Sequence, residues 1–380
     1  MKEKRVSNYE LFYDLVFVLA TSVLTGFLHS SEGVSWYELM QFIIANLSVW
    51  CLWFTENVYL NKYSERGPHD VYTIIASMLV IGNMVMGLTL HWRETTTSLF
   101  GIEVPVFIPF NLLLLIAYGI IIMQYYLHCR NYRISMTKDM KAQIQWILWT
   151  MALIALATVT SYMQIIDGVY VYFVAYIIAL FVPRKFTKNF DNTLVNFPHM
   201  VERTQLITIL TFGEVVIATI KTFPLMNNII TGSLSFVAMA FMFVAYISQT
   251  ALSMDHHSQK PSTLLVYLHL VIVMAINLFT AGLEMIGDQH HATTTGLQLV
   301  ILGMVLFYGC LAALTVYNKH GAILTKQYAL QYVLATILLM GALWIGSSSL
   351  EWIFASLCVY TYMMEDIGYR FRKKYIYKEN

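Results

Sequence analysis

The sequence predicts an all-α polytopic membrane protein with about twelve transmembrane helices. Hydrophobic residues make up 58% of the 380-residue chain and charged residues only 12%, and the mean hydropathy is +0.61. Such a composition is typical of a lipid-facing protein, because a soluble domain would carry more charge. A helix crosses the bilayer core with roughly 20 apolar residues, whereas a barrel strand needs only about 9–11. The apolar runs of this chain have the helical length.

Each apolar run is interpreted as one membrane span. The first, 8–28, is not a cleaved signal peptide, because Glu10 and Asp14 interrupt its apolar centre. Ser7 and Glu10 have the spacing of a capping box, which predicts a helix that begins at Ser7. The later runs are 36–60, 71–91, 104–128, 144–163, 165–183, 199–221, 229–253, 263–285, 294–317, 328–346 and 349–365.

The basic residues indicate how the chain is oriented. All Lys and Arg except Arg93 and Lys221 fall on one side of the predicted spans. The positive-inside rule makes that side cytoplasmic and places both termini there. A formal net charge of +1 gives no reason to expect a nucleic-acid partner, and the basic residues already have a topological explanation.

Similar segments recur in the two halves of the chain. Phe12-Tyr13-Asp14 opens the first span and Phe212-Gly213-Glu214 lies in the seventh, and other pairs keep an offset of about 190–200 residues. The pattern predicts two six-helix repeats, 1–190 and 191–380, the second with a short basic tail. An even number of spans gives both repeats the same orientation, so a pathway is expected where they meet.

Acidic side chains within the spans are the candidate ion-binding or protonatable groups. A charge at mid-bilayer costs at least about 2.5–3.5 kcal/mol, so it persists where it is paired, faces a cavity or is protonated. Asp14 and Glu214 occupy matched positions of the two repeats. His199 and Arg203 precede Glu214 on one helical stripe, and we expect them to tune it. Glu10 lies one turn before Asp14.

The alternative for each acid is a structural role. Asp14 and Glu214 are then held by donors of the protein and bind nothing mobile, and Glu10 only caps its helix. Glu56 and Glu284 lie near span ends, where charge is interfacial. Glu284 as an acid and the lone His269 as a tuning group are therefore second choices.

Other chemistry finds little support in the sequence. Asp255-His256-His257 and the cluster of Asp288, His290 and His291 fall on opposite sides of the membrane, so both are interpreted as solvated loops. The four cysteines show no C-x-x-C spacing and predict neither a disulfide nor a zinc site. No P-loop, nucleophile elbow, dinucleotide fingerprint or H-E-x-x-H motif is present. We therefore expect neither a cofactor nor an enzymatic activity.

Two segments resemble the bacterial low temperature requirement protein A (LtrA) family: Glu10–Val18, and His199–Arg203 leading into Leu210–Glu214. Tyr267–Leu270 through Gly282–Glu284 is similar to a later helix of that family. The resemblance implies a bacterial plasma-membrane protein of low-temperature adaptation whose molecular activity is poorly defined. The aromatic-x-acid motif is also similar to the Phe-Ser-Asp motif of two-repeat potassium and proton channels, which implies that the first and seventh helices line a pore.

The residues and the resemblance together predict a channel or transporter for a small cation or protons, with the acids at a seam between the repeats. The alternative is a non-conducting protein of envelope or cold-stress adaptation with structural acids. A hydrated cavity that reaches the acids would favour the first, and acids saturated by protein donors the second. The transported species, proton coupling, a homo-oligomer and a lipid ligand stay open.

Overall fold

A computed structural model describes residues 4–28, 34–87, 95–99, 101–165, 167–181, 187–288 and 293–377. Arg93, His290 and His291 lie outside these ranges. Within them the chain forms twelve α-helices and one antiparallel hairpin, β1 (Thr96–Leu99) with β2 (Ile102–Pro105), which confirms the all-α class. The helices are α1 (Asn8–Thr25), α2 (Trp36–Lys62), α3 (Pro68–Met86), α4 (Phe107–Tyr132), α5 (Lys138–Tyr162), α6 (Gly168–Phe181), α7 (Phe197–Thr222), α8 (Ile229–Ile247), α9 (Thr263–Gly287), α10 (Thr293–Leu314), α11 (Lys326–Gly346) and α12 (Leu350–Tyr375).

Among the described helices, nine are long and apolar enough to cross a membrane: α2 to α5 and α7 to α11. The other three differ for evident reasons. Two acids interrupt α1, the described part of α6 has 14 residues, and charged residues crowd the second half of α12. The chain is therefore a multi-pass membrane protein, while the spans predicted at α1, α6 and α12 stay predictions.

The helix ends follow the local sequence. Ser7 and Glu10 form the expected capping box of α1, since the Ser7 side chain accepts from the backbone of Glu10 and the Glu10 side chain accepts from the backbone of Ser7. Pro68 opens α3, where its missing N–H is harmless. The α8 helix is followed by a π-helical turn, Ser248–Ser253.

The structure divides into two compact units. The first contains the residues up to Leu28 together with Ser35–Arg203, and the second the residues from Thr204 onward, so the division falls within α7. In the first unit α2 is the central helix, because 78% of its most apolar window is buried. It packs against α1, α4 and α6, and α3 packs against both α1 and α4. The predicted duplication with a boundary at residue 190 stays a prediction.

In the second unit α9 is the central helix, with 72% of its most apolar window buried. It lies against α10 at close range, because small residues let the two backbones approach. A Cβ on Gly303 would stand 2.6 Å from the carbonyl oxygen of Ala275, and one on Gly282 would stand 2.6 Å from that of Gly296. The α12 helix packs against α8 and α11.

Candidate functional site

A buried ion pair joins α1 to the first turns of α7. Arg203 Nη2 donates to Asp14 Oδ1 across 2.6 Å, and both side chains are fully buried. Trp53 of α2 donates from Nε1 to the same oxygen across 2.8 Å. The Arg203 guanidinium also lies 5.9 Å from the centre of the Trp53 ring, within cation–π range. Asp14 is therefore the point at which three helices of the first unit meet.

A second acid and base pair lies nearer the helix ends. His199 Nε2 is 3.4 Å from Glu10 Oε2, and both are fully buried. Asn61 Nδ2 donates to His199 Nδ1 across 3.0 Å, and its orientation is set because its Oδ1 accepts from the Asn196 backbone. Since Nδ1 of His199 accepts, its proton resides on Nε2 and the ring is neutral. The hydrogen bond to Glu10 therefore carries no charge from the imidazole.

Glu56 of α2 is a third fully buried acid in this unit. Its Oε1 accepts from Gln124 Nε2 across 2.7 Å, and the same amide donates to Thr73 Oγ1 across 3.1 Å. The sequence places Glu56 near a span end, but α2 continues to Lys62, more than one turn beyond it. The sequence carries one hint of this burial. Thr55 and Asn57, on either side of Glu56, are polar residues within an otherwise apolar span.

These three acids are only half satisfied. Glu10 Oε1, Asp14 Oδ2 and Glu56 Oε2 are buried oxygens without a hydrogen-bond partner in the described part of the chain. The Tyr13 hydroxyl and the Nε and Nη1 atoms of Arg203 are also buried without a hydrogen-bond partner in the described chain. Most buried polar groups find partners, and leaving one unpaired costs about 1–3 kcal/mol. The unpaired oxygens make these three acids the candidates for binding a further partner.

Two other buried acids of the first unit are fully satisfied. Asp70, in the first turn of α3, accepts from the Tyr59 hydroxyl at 2.6 Å on one oxygen and from Ser64 Oγ at 2.9 Å on the other. Asp139, in the first turn of α5, accepts from Lys62 at 2.9 Å on Oδ1 and from the Tyr63 hydroxyl on Oδ2. Asp70 also accepts from the Gly67 backbone at the start of α3, and Asp139 from the Asp191 backbone, so both have the saturation expected of structural acids.

The charges of the half-satisfied site do not balance. Glu10, Asp14 and Glu56 supply three carboxyl groups, while in the described chain Arg203 is the one buried cation paired among them and His199 is neutral. Full ionisation would leave an excess of negative charge in a low-dielectric interior, which is costly. Protons or monovalent cations would restore neutrality. Across the described ranges, no group of three or more His, Cys, Asp or Glu side chains is arranged to hold a metal ion.

The residues just before α1 contact both the end of α2 and the start of α7. Lys4 Nζ donates to the carbonyl oxygens of Leu60 at 2.5 Å and Ser64 at 2.6 Å, and burial lowers the pKa of Lys4. The backbone N–H of Val6 donates to Glu202 of α7 across 3.0 Å. The chain before α1 thus ties the end of α2 to the start of α7.

The structure does not bring Arg203 and His199 to Glu214, as the stripe on α7 had suggested. Eleven residues along a helix amount to about 16 Å, too far for side-chain contact, and both bases instead contact acids of α1. Glu214 is half-buried in the second unit, and no hydrogen bond or ion pair reaches it from a described residue. Its role stays a prediction.

The second-choice residues lie on α9. His269 is fully buried, donates from Nδ1 to the Leu265 carbonyl at 2.8 Å, and has its Nε2 3.1 Å from the Tyr246 hydroxyl. Both ring nitrogens therefore have partners, which is the geometry of a core contact. Glu284 is half-buried near the end of the same helix.

The chain matches a protein family over almost its whole length. Residues 5–364 match the family model described as Bacterial low temperature requirement A protein (LtrA). The matched range includes Glu10, Asp14, Glu56, His199 and Arg203, and therefore the whole half-satisfied site. No curated protein and no solved structure matches the chain.

Proposed function

The chain belongs to the bacterial low temperature requirement A protein family, and we propose that it moves protons or a small monovalent cation across the membrane. The site of binding is the set of half-satisfied acids in the first unit, Glu10, Asp14 and Glu56. We assign it no enzymatic reaction and no nucleic-acid partner.

The observation that carries the proposal is the difference between two kinds of buried acid. Asp70 and Asp139 have donors on both oxygens, whereas Glu10, Asp14 and Glu56 each keep one oxygen unpaired within the described chain. A purely structural acid gains stability from full pairing, because an unpaired buried oxygen is costly. An acid that must bind and release a cation or proton needs an oxygen that the protein leaves available.

The unpaired atoms are oxygens suited to a small hard cation or a proton. Besides the three carboxyl oxygens they include the Tyr13 hydroxyl and Gln124 Oε1, both buried. Hydroxyl, amide and carboxyl oxygens are ligands of hard cations, and the carboxylates can also take up a proton. Because Arg203 neutralises one of the three carboxylates, two protons or two monovalent cations would make the fully ionised site neutral.

The proposal includes an orientation. Asp14 lies six residues into α1, or about 9 Å from its start, and Arg203 lies equally near the start of α7. We place both termini in the cytoplasm of a bacterial cell, because nearly all Lys and Arg fall on that side. The site is then closer to the cytoplasmic surface than to the outer one.

A second candidate function is a non-conducting structural role in the membrane, and one observation favours it. Arg203, Asp14 and Trp53 connect three helices through two hydrogen bonds and a cation–π contact. Such a buried junction stabilises a unique packing whether or not an ion passes. Asp14 alone is therefore a weaker test of transport than Glu56, which has one neutral donor.

The experiment is a flux measurement on purified protein in proteoliposomes under imposed potassium or proton gradients. The proposal predicts flux with the native chain, and loss of flux or changed ion preference in Asp14→Asn and Glu56→Gln proteins of verified fold. Absence of flux for protons, potassium and sodium alike would overturn it and favour the structural role.

A further inference from the structure

A cavity with both polar and apolar lining residues lies within the second unit, between α8, α10, α11 and α12. Its volume is about 30 Å³, room for more than one water-sized group. The polar side chains of its lining include Gln249, Tyr308, Tyr332, Glu365 and Arg372. None of them belongs to the acid site of the first unit, so a ligand of this cavity is independent of the proposed transport.

The lining leaves space at Gly368 of α12, where polar groups converge. A Cβ at this position would stand 3.1 Å from Arg372 Nη1, 3.2 Å from the Tyr332 hydroxyl and 3.9 Å from Glu365 Oε2. Two hydrogen-bond donors therefore approach the same point from different helices. Any side chain larger than hydrogen would fill that point.

Further donors of the lining are buried and unpaired. Arg372 is 5% exposed and Tyr308 is 6% exposed. Arg372 Nε and the Tyr308 hydroxyl have no hydrogen-bond partner among residues that the structure describes. Buried donors without acceptors are costly, and a guanidinium has five N–H groups to satisfy. A ligand that brings several acceptor oxygens would meet this need.

The ion pair in the cavity holds the guanidinium in position. Arg372 Nη2 donates to Glu365 Oε1, and Ser248 Oγ donates to the same oxygen across 3.3 Å. Ser248 opens the π-helical turn at the end of α8, and such turns occur frequently at functional sites. The pair of Arg372 and Glu365 has no net charge, and the guanidinium donors that Glu365 does not use remain for the acceptor oxygens of a ligand.

The surroundings add positive potential. Leu324, which lines the cavity, immediately precedes Thr325, the N-cap of α11, and Thr325 makes no side-chain cap hydrogen bond within the described chain. The N-terminus of a helix favours anions. Lys319 lies in the connection before α11, Lys326 opens α11, and Lys373 and Lys374 lie in the last turn of α12. Basic pockets between transmembrane helices at this face bind anionic headgroups.

We infer that the cavity at Gly368 and Arg372 binds the phosphate group of an anionic ligand. A phosphate accepts hydrogen bonds from the guanidinium and the Tyr332 hydroxyl, which converge at Gly368, and the unpaired hydroxyl of Tyr308 in the same lining is a further donor. The source of that group is either the headgroup of a phospholipid, which the position at the basic membrane face favours, or free phosphate.

The test uses the full chain purified in detergent, with phosphatidylglycerol, phosphatidylcholine and inorganic phosphate as probes in native mass spectrometry. Gly368→Ala fills the convergence point and keeps every charge, and Tyr308→Phe removes an unpaired hydroxyl. Gly341→Ala on α11 is the matched control, because a Cβ there meets no atom within 4 Å. Tyr362→Phe, on the exposed side of α12, is the control for the hydroxyl.

We expect phosphatidylglycerol to bind more tightly than phosphatidylcholine, and both site variants to weaken it about tenfold or more, since each loses hydrogen bonds to a charged group. The control variants should bind as the native chain does. Displacement of the lipid by inorganic phosphate would assign the site to free phosphate, and resistance to displacement would assign it to the headgroup. Thermal unfolding of each variant identifies a loss of fold.

Two results would overturn the inference. One is equal binding of phosphatidylglycerol and phosphatidylcholine together with no binding of phosphate. The other is unchanged binding in both Gly368→Ala and Tyr308→Phe while each remains folded. Tyr308→Phe keeps the test decisive if Gly368→Ala fails to fold, because its hydroxyl has no partner within the described residues.

Discussion

Arg203 Nη2 lies 2.6 Å from Asp14 Oδ1, although 189 residues separate them along the chain. The pair ties α7 to α1 within the first unit, and Trp53 of α2 donates to the same carboxyl oxygen. Arg203 neutralises one acid of three. The ion pair therefore stabilises the fold. The site still has more carboxyl groups than cations, and the proposed ion binding rests on this excess.

Loss of Arg203 should destabilise the protein strongly. Arg203→Gln leaves Asp14 buried without its charged partner, which costs about 3–5 kcal/mol. The measurement is denaturant or thermal unfolding in one detergent. Arg370→Gln is the control. Arg370 and its partner Asp366 are 53% and 42% exposed, and an exposed ion pair contributes only about 0–1 kcal/mol to stability.

A second substitution isolates the pair. Asp14→Asn added to Arg203→Gln removes both charges, and the double variant should be more stable than the sum of the two single losses implies. Strict additivity of the two losses would contradict the buried ion pair.

The indole of Trp53 should contribute more than that of Trp50. Trp53→Phe removes the donor to Asp14, and hydrogen bonds to charged groups contribute about 1.5–3 kcal/mol. Trp50 is similarly buried, but its Nε1 has no hydrogen-bond partner in the described ranges. Trp50→Phe should therefore cost less in the same unfolding assay, and an equal cost would show that packing alone decides.

The two buried histidines should be opposite tautomers. Asn61 donates to Nδ1 of His199, so the proton of His199 is on Nε2. Nδ1 of His269 faces the Leu265 carbonyl, which only accepts, so its proton is on Nδ1. Nitrogen NMR of labelled histidine, assigned by His→Gln substitution, distinguishes the two forms. The same tautomer at both positions would contradict the hydrogen bonding described.

Glycine should be indispensable where α9 and α10 touch. A Cβ at Gly303 would meet the Ala275 carbonyl at 2.6 Å, so Gly303→Ala should cost about 1–3 kcal/mol through overpacking. Gly309 lies on the same helix with nothing within 4 Å of a Cβ. Gly309→Ala should be neutral or stabilise by about 0.5–1 kcal/mol. Unfolding curves of both variants test this, and equal loss of stability would contradict the packing.

Much of the fold follows from local sequence. The run 36–60 became Trp36–Lys62 and the run 263–285 became Thr263–Gly287, because apolar length decides where a membrane helix lies. Hydropathy was a poorer guide where the chain is polar. It ended the last helix at 365, although α12 continues to Tyr375 through charged residues, and it missed the hairpin of Thr96–Leu99 with Ile102–Pro105.

The acids of the site were found more easily than their partners. Asp14 and Glu10 stand out as charges in an apolar span, and the capping role of Glu10 follows from Ser7 at fixed spacing. The partners of these acids could not be predicted from helical periodicity, because periodicity relates only residues of one helix. It paired Arg203 with Glu214 of the same helix, whereas Arg203 contacts Asp14 of α1. Contacts between distant helices depend on tertiary packing, which a single sequence does not display.

Glu56 illustrates a different difficulty. Its burial depends on where α2 ends and on its neighbours in α4, since Gln124 supplies its one donor within the described chain. A helix end shifted by two residues changes an interfacial acid into a buried one. The amide of the neighbouring Asn57 donates to the Trp53 carbonyl of its own helix, so within the described chain Glu56 has no donor from α2.

The most direct test of the central claim compares two buried acids of the first unit in the same proteoliposome flux assay. Glu56→Gln removes a half-satisfied acid and Asp70→Asn a fully satisfied one, and flux is expressed per folded protein. If unpaired acids carry the ion, Glu56→Gln abolishes proton or cation flux while Asp70→Asn retains it and lowers only stability. Retention of full flux in Glu56→Gln, or equal loss in both variants, would contradict the claim.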